Sequence, residues 1–270
     1  MNKLPNNWSE TDFELIAADN TPSDGPNSWI AVLPLGATEQ HGPHLPFETD
    51  TLIAQGVVDR LSEELAANQK ITFLPVEQIG YSPEHLDFEG SKSLSYDDAI
   101  KRWVGIGKKL STLGVRKLVL LNAHGGNSPL MTIVATELRV RFNMLCVATS
   151  WTRFGKPKGM YSEEELAIDI HGGDIETSVM LALNPDKVNM KLAEDFASAQ
   201  SNFADKFSYL RAYGRHSFGW KMQDLNPNGV VGNAKKASCE KGEALLSISV
   251  EGLLKLLDDV NKFDLKHFDQ

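Results

Sequence analysis

The chain alternates short apolar runs with segments of helical periodicity, and this alternation constrains its fold most. Apolar runs of strand length lie at residues 29–35, 71–76, 116–121 and 145–150. Segments with helical spacing of apolar residues lie at 49–67, 96–113, 128–142, 173–183 and 240–260. Strands that alternate with helices favour a parallel sheet covered by helices on both faces. The sequence therefore predicts an α/β fold, a three-layer α/β/α sandwich with a mostly parallel central sheet.

Several element boundaries carry local signals. Thr49 or Asp50 is expected to cap the helix that begins there, because such side chains accept hydrogen bonds from the free amides of a first turn. Gly114 is expected to end the helix at 96–113, since glycine readily adopts the conformation that closes a helix. We expect loops where turn formers cluster or periodicity is absent, at residues 80–95, 152–170 and 200–235.

Length and composition limit the class of protein. With 270 residues, of which 41% are hydrophobic and 23% charged, the chain is expected to form a single globular domain over residues 1–270. The formal net charge of −9 repels phosphate backbones and anionic lipid surfaces, so nucleic acid and membrane partners are not expected. The two cysteines, Cys146 and Cys239, lie far apart, which argues against a disulfide framework or a structural zinc site.

The location of the protein is predicted only from missing signals. The first twenty residues contain no apolar core of a signal peptide. The sequence has no apolar run near the roughly 20 residues that span a bilayer. A cytoplasmic location is therefore the expectation.

The first polar motif, TEQHGPH at residues 38–44, directly follows an apolar run. Glu39 and His41 stand two residues apart, and Asp50 follows nine residues after His41. Carboxylate and imidazole together suit Zn²⁺, Mn²⁺ or Fe²⁺. The two oxygens of a carboxylate such as Asp50 can bridge two ions. Taken alone, each of these residues is more readily explained as an ordinary loop residue or, for Asp50, a helix cap.

Two further motifs carry histidine. NAHGGN, at residues 122–127, follows the third apolar run and contains His124. DIHGGDIETS, at residues 169–178, contains His171 and Glu176 close to a predicted helix start. Histidine is the usual proton-transfer residue because its pKa lies near 7. An acid at a helix start also interacts favourably with the helix dipole, which is the structural alternative for Glu176.

The three motifs share a position in the predicted fold. Each follows a strand or opens a helix, and ligands of open α/β sheets bind outside the carboxyl ends of the strands. The sequence contains no Gly-x-Ser-x-Gly elbow, no Walker A motif and no dinucleotide fingerprint. The residues therefore predict a metal-dependent hydrolase with an active site built from Glu39, His41, Asp50, His124 and Glu176.

The motifs resemble those of the creatininase (creatinine amidohydrolase) family. The resemblance rests on LPLGATEQHGPHLPFETDTLIA (33–54), GYSPEHLDFEG (80–90), LLNAHGGN (120–127), DIHGGDIETS (169–178) and, more weakly, GVVGNAKKASCEKG (229–242). It implies the sandwich fold, a homohexamer, and one or two divalent ions, with Zn²⁺ favoured over Mn²⁺ or Fe²⁺. It also implies hydrolysis of a C–N bond in a cyclic amide, lactam or formamide.

Carried over residue by residue, the resemblance assigns four metal ligands and a proton-transfer residue. Glu39, His41, Asp50 and His124 are the ligands, with Asp50 as the bridge, and His171 transfers protons. Creatininase itself has an acid two residues after the histidine of the second motif, where this chain has Gly126. That departure, together with SKSLS at 91–95, argues against creatinine as the substrate. Glu176 is the expected replacement, as a ligand and a catalytic residue.

Three further residues are candidates for substrate contact, each with a structural role as its alternative: His44, Glu84 and His85. Two other functions remain open from the sequence. One is a creatininase-like peptidase that acts on a modified peptide, for which an open groove would be the mark. The other is a non-catalytic metal-binding assembly protein, which would bind metal without turnover.

Overall fold

The structure of the protein is a computed structural model that describes residues 10–19, 21–66 and 69–269. Its strands are β1 Ile30–Leu35, β2 Ile71–Phe73, β3 Lys117–Asn122, β4 Leu145–Ser150, β5 Asp195–Phe196 and β6 Gly232–Asn233. Its helices are α1 Glu10–Ala18, α2 Thr49–Glu64, α3 Tyr96–Thr112, α4 Ser128–Phe142, α5 Glu163–Ile168, α6 Asp174–Leu183, α7 Ala199–Lys206, α8 Met222–Leu225 and α9 Cys239–Lys262.

The central sheet has the strand order β2-β1-β3-β4, and its strand pairs are parallel. β1 and β3 are neighbours in register from Ile30 opposite Lys117 to Leu35 opposite Asn122. The chain adds β2 on one side of β1 and then crosses to β3 on the other side. The strand order therefore reverses between β1 and β3, and a crevice for ligands is expected at their carboxyl ends.

Alternate residues of the central strands pack against different helix layers. Ile30, Val32 and Val119 belong to the apolar core beneath α2, α6 and α9. Ala31, Leu33 and Leu118 belong to the core beneath α3 and α4. This period of two follows from the alternation of side chains along a strand. The predicted three-layer α/β/α sandwich is confirmed.

The helix ends agree with most of the local signals. α4 and β4 span the predicted residues, and Gly114 has a φ of +87°, the left-handed conformation expected after α3. The predicted cap of α2 was wrong. Its N-cap is Glu48, without a side-chain hydrogen bond, because the Thr49 hydroxyl donates to the Pro46 carbonyl oxygen at 2.6 Å and Asp50 faces two histidines.

Two segments expected as loops contain short elements. Residues 152–170 include α5, which begins with a capping box between Ser162 and Glu165. Residues 200–235 include α8, β6 and most of α7, whose first amides are capped by Ser198. Elements of 2–8 residues are too short to show a hydrophobic period. Across the described part of the chain, no helix combines the length and apolar character needed to cross a bilayer.

Candidate metal centre

The carboxyl edge of the sheet brings the predicted ligands together. The loop after β1 carries Glu39 and His41, and the loop after the neighbouring β3 carries His124. Asp50 lies in the first turn of α2 and Glu176 in the first turn of α6. These helices and loops converge because both helices pack on the same face of the sheet. Five residues distant in sequence thereby form one cluster.

The first group of potential ligands surrounds His41. Its Nε2 lies 3.4 Å from Asp50 Oδ1 and 3.9 Å from Glu176 Oε2. Its Nδ1 lies 2.9 Å from the Glu39 carbonyl oxygen, which only accepts hydrogen bonds, so Nδ1 carries a proton. This second hydrogen bond fixes the ring and directs Nε2 at the two carboxylates, as is typical of histidine ligands.

The second group surrounds His124. Its Nδ1 lies 3.1 Å from Glu39 Oε1 and 3.4 Å from Asp50 Oδ2. Its Nε2 donates to the Tyr81 carbonyl oxygen at 3.0 Å. Asp50 therefore presents one oxygen to each histidine. This is the arrangement that a carboxylate bridging two metal ions requires.

The buried atoms of the cluster fit a divalent cation. Glu39 is fully buried, at 0% exposure. Within the described chain, histidine nitrogens surround its carboxylate, but neither oxygen forms a hydrogen bond of accepted geometry, nor do His41 Nε2 and Asp50 Oδ2. Buried carboxylates without hydrogen bonds are costly unless they are neutralised or coordinate a metal. The donor set of imidazole nitrogens and carboxylate oxygens suits Zn²⁺ and similar ions.

The same crowding shifts the pKa values of the cluster. Burial alone would raise the pKa of Glu39, but His124, His85 and His171 hold it well below its ordinary value. Burial opposes protonation of His41, yet Asp50, Glu176 and Glu39 raise its pKa to about 10. Burial raises the pKa of Glu176 to about 7. Without metal, His41 and part of the Glu176 population are therefore protonated at neutral pH, and a cation must displace these protons when it binds.

His171 and His85 also face this centre. His171 Nδ1 lies 3.6 Å from Glu39 Oε1, while its Nε2 donates to the Gln40 carbonyl oxygen at 2.7 Å. Burial, together with His41 and His85, holds the pKa of His171 well below its ordinary value, so the ring is neutral. His85 Nε2 lies 3.4 Å from Glu39 Oε1. Glu84 Oε1 lies 3.9 Å from His124 Nε2, the ring nitrogen that does not face Asp50.

His44 does not reach the site, which corrects the expectation that it contacts substrate. Its side chain is buried, with Nε2 2.8 Å from the Thr177 hydroxyl and its ring stacked on Phe196. The Thr177 hydroxyl in turn donates to the Gly172 carbonyl oxygen at 3.2 Å. His44 therefore supports the turn that carries His171. Sequence position alone could not show this, because it does not reveal which way a loop side chain points.

At two positions near the site, 172 and 126, the local structure requires glycine. Gly172 has a φ of +65°, which favours glycine, and its amide donates to Glu176 Oε2 at 2.6 Å. At Gly126, a Cβ atom would lie 2.3 Å from the Tyr81 carbonyl oxygen and 2.5 Å from His124 Nε2. The loop of residues 80–90 thus occupies the space that a side chain at position 126 would need. The acid that lies near His41 is instead Glu176, at the start of α6.

The centre opens into a cavity of about 480 Å³. Its lining includes Asp50, Glu84, His85, His124, His171 and Glu176. Residues 212–220 also contribute to the lining, through Ala212, Tyr213, Gly214, Ser217, Phe218 and Trp220. These residues were not among the predicted site residues, since the segment has no period or motif. Its aromatic residues were the only available signal.

The asparagines that flank His124 were also missed. Asn122 Oδ1 accepts from the His124 amide at 3.1 Å. Asn127 accepts from the Tyr81 amide at 2.9 Å and donates to the Gly36 carbonyl oxygen at 3.1 Å. These bonds tie the loops after β1 and β3 to residues 80–90. Their positions as the first and last residues of NAHGGN were the signal in the sequence.

Comparison with known proteins gives one consistent family. The model of the creatininase family, described as creatinine amidohydrolase, matches residues 21–257. A creatinine amidohydrolase of Pseudomonas putida is 30% identical over 262 residues, which cover 91% of this chain and 92% of that protein. A mycofactocin precursor peptide peptidase of Mycobacterium ulcerans is 30% identical and covers 86% of each chain. A mutant creatininase of the Zn-Zn type superposes with a TM-score of 0.73 at 29% identity, covering 92% and 95% of the two chains.

Proposed function

The chain belongs to the creatininase family, and from that premise we infer that it is a divalent-metal-dependent amidohydrolase that cleaves a C–N bond of a small molecule. One observation carries this inference. Asp50 presents one carboxylate oxygen to His41 and the other to His124, so two groups of ligands share a bridging residue. The proposed ligands are Glu39, His41, Asp50, His124 and Glu176, and they would hold one or two ions, with Zn²⁺ favoured.

The proposed reaction adds water across an amide bond. A divalent cation held in this site lowers the pKa of water and withdraws electrons from a carbonyl oxygen. The oxygen of water forms a bond to the carbonyl carbon, the C–N bond breaks, and the nitrogen leaves with a proton. The products are a carboxylic acid and an amine, or a single ring-opened molecule when the substrate is a lactam.

Proton transfer is proposed for His171. The Gln40 carbonyl oxygen holds the Nε2 proton of this ring, so the bare Nδ1 is directed towards Glu39. A neutral nitrogen beside the reacting atoms accepts a proton from water and returns it to the leaving nitrogen. Glu176 is the proposed second participant, since burial raises its pKa to about 7. Glu84 and His85 line the cavity and are proposed to contact substrate.

A peptidase acting on a modified peptide is the second candidate. It is favoured by the similarity to a mycofactocin precursor peptide peptidase. It is also favoured by a second cavity, of about 450 Å³, which shares Gly125, Ile170, Glu176 and Tyr213 with the first. Cleavage of short peptides that contain modified residues, with no turnover of small amides, would establish this function over the first.

The remaining proposals concern the whole protein. We propose that residues 1–270 act as one hydrolase domain in the cytoplasm, with a small-molecule substrate and with no nucleic acid or membrane partner. A homohexamer is proposed from the family resemblance. Light scattering at working concentration tests the assembly, and a monomer would refute it.

The test of the function combines metal analysis with turnover. Protein purified without chelator is expected to contain divalent metal and to hydrolyse at least one member of a panel of cyclic ureides, lactams and formamides. His124→Ala removes a ligand of the second group and is expected to lose most of the metal and at least about 100-fold in turnover. His267→Ala is the control, because His267 is exposed and packs on Phe263. Full activity of His124→Ala would contradict the proposal, and metal binding without turnover on any panel member would favour the non-catalytic alternative.

A further inference from the structure

A second cavity borders the proposed metal centre and has a different chemistry. It encloses about 450 Å³ and shares Gly125, Ile170, Glu176 and Tyr213 with the cavity above the metal ligands. The rest of its lining includes the hydroxyls of Ser128, Ser150 and Thr152 and the cationic side chains of Arg153 and Lys156. A ligand that fills both cavities would therefore extend from the metal centre to these two cations.

Lys156 contributes a partly buried ammonium group to this lining. Its side chain is partly buried, and burial lowers the pKa of its ammonium group. Among the described residues it has no hydrogen-bond acceptor and no carboxylate oxygen within 4.0 Å, and its Nζ lies 5.3 Å from the centroid of the Trp151 ring. Asp169 and Glu176 act in the opposite direction and raise the pKa of Lys156, but neither contacts the ammonium group. A charge withdrawn from water without a contacting partner is unfavourable, and an anionic ligand would offset that cost.

Other cations of the chain do form ion pairs. Arg60, Arg102 and Lys241 each lie within ion-pair distance of a carboxylate. The net charge of the chain is −9, so carboxylates are in excess. An unpaired ammonium group in a cavity of such a protein is therefore not explained by a shortage of acids.

Arg153 adds a second cation at the same cavity. Its Nη1 donates to the Ala148 carbonyl oxygen at 3.1 Å, which holds the guanidinium group in place at an exposed position. The remaining N–H groups of a guanidinium are free to donate to a carboxylate or a phosphate. Arg153 and Lys156 thus provide a fixed donor and a partly desolvated charge.

The two acids of the lining are directed to backbone amides. Asp169 Oδ2 accepts from the Asp174 amide at 2.7 Å, at the start of α6. Glu176 Oε2 accepts from the Gly172 amide at 2.6 Å and faces His41. Both carboxylates act on Lys156 electrostatically, but among the described residues neither lies within ion-pair distance of its Nζ, so no direct contact occupies the ammonium group.

We propose that this second cavity binds an anionic group of the substrate, a carboxylate or a phosphate, through Lys156 and Arg153. The inference rests on the proposed function and narrows it, because the substrate becomes an amide that carries an anionic substituent beside the scissile bond. Glu176 lines both cavities and so lies next to both parts of the proposed site.

Titration calorimetry of the full-length, metal-bearing protein with two probes, inorganic phosphate and succinate, tests the proposal. Wild-type protein is expected to bind at least one probe, and the tighter of the two identifies the phosphate or the carboxylate class. Lys156→Met is expected to weaken that binding by about tenfold or more, as loss of a charged partner does. Lys156→Arg keeps the charge and is expected to retain binding within about fivefold.

Lys158→Met provides the matched control. Lys158 is exposed and is not part of the cavity lining, although it lies only two residues away and its loss changes the net charge equally. It is expected to bind like wild type within about twofold. Absence of binding by wild-type protein, or equal binding by Lys156→Met and wild type, would overturn the proposal. The second result is also what an anion held only by the metal would give.

These outcomes are independent of the proposed function. If the protein hydrolyses amides but binds neither anion, only the proposal of an anion-binding cavity is contradicted. If anion binding depends on Lys156 but no amide is turned over, only the proposed hydrolase function is contradicted. Circular dichroism and thermal unfolding of Lys156→Met check that the variant is folded, and Lys156→Arg repeats the comparison if it is not.

Discussion

At the residue scale, the centre depends on how three of the proposed ligands are each oriented by a second bond. The Glu39 carbonyl oxygen fixes His41, the Tyr81 carbonyl oxygen fixes His124, and the Gly172 amide fixes Glu176. These partners leave one ring nitrogen of each histidine directed inward and hold Glu176 Oε2 towards His41. The geometry is therefore largely formed before a cation binds, which reduces the cost of ordering the ligands.

Metal binding should release protons, because the carboxylates around His41 raise the pKa of this ligand to about 10 in the metal-free protein. A cation coordinates the neutral ring, so at pH 7 at least about one proton is expected to leave for each ion bound at His41. Calorimetric titration with Zn²⁺ in buffers of different ionisation enthalpy measures this number. A heat that does not depend on the buffer would contradict the prediction.

His44 should make stability depend on pH. Burial lowers the pKa of His44 to about 4 from an ordinary value of 6.5. The unfolded chain therefore takes up a proton before the folded one. The contribution is complete above pH 6.5 and is lost as the pH falls towards 4. In chelator-treated protein, His44→Asn should flatten the unfolding free energy over this range by up to roughly 1.4 kcal/mol per pH unit. Parallel profiles for the variant and wild type would count against the prediction, and His267→Asn is the exposed control.

At the element scale, the close approach of α6 and α9 positions the first turn that carries Glu176. A Cβ atom at Gly242 of α9 would lie 2.0 Å from the Ser178 carbonyl oxygen of α6. Lys241, the neighbouring residue of α9, pairs with Asp174 at the start of α6. Contact between backbones at one glycine thus sets the distance between two helices.

Gly242→Ala should therefore destabilise the protein by about 1–3 kcal/mol, because α9 must move away from α6. Gly105→Ala is the matched control, since Gly105 lies within α3 and a Cβ atom there would meet nothing within 4 Å. Alanine has the higher helix propensity, so this control should gain up to about 1 kcal/mol. Chemical denaturation measures both, and equal effects of the two substitutions would contradict the packing argument.

At the scale of the whole molecule, the fold places its ligands where the strand order reverses between β1 and β3. The alternation of elements and the ligand chemistry of the motifs were enough to predict the sandwich and the cluster, because each apolar period and each motif is local in sequence. The positions of His44 and of Tyr213, Phe218 and Trp220 were not predictable in this way. They depend on the direction of loop side chains and on a segment without periodicity.

The central claim is that Asp50 joins two groups of metal ligands. Anomalous diffraction at the zinc edge, from crystals of protein purified without chelator and supplied with Zn²⁺, tests it most directly. The account predicts one or two peaks, each about 2.0–2.2 Å from an Asp50 oxygen and adjacent to His41 Nε2 or His124 Nδ1. The absence of a peak at this edge of the sheet, or a zinc ion bound only elsewhere, would contradict it.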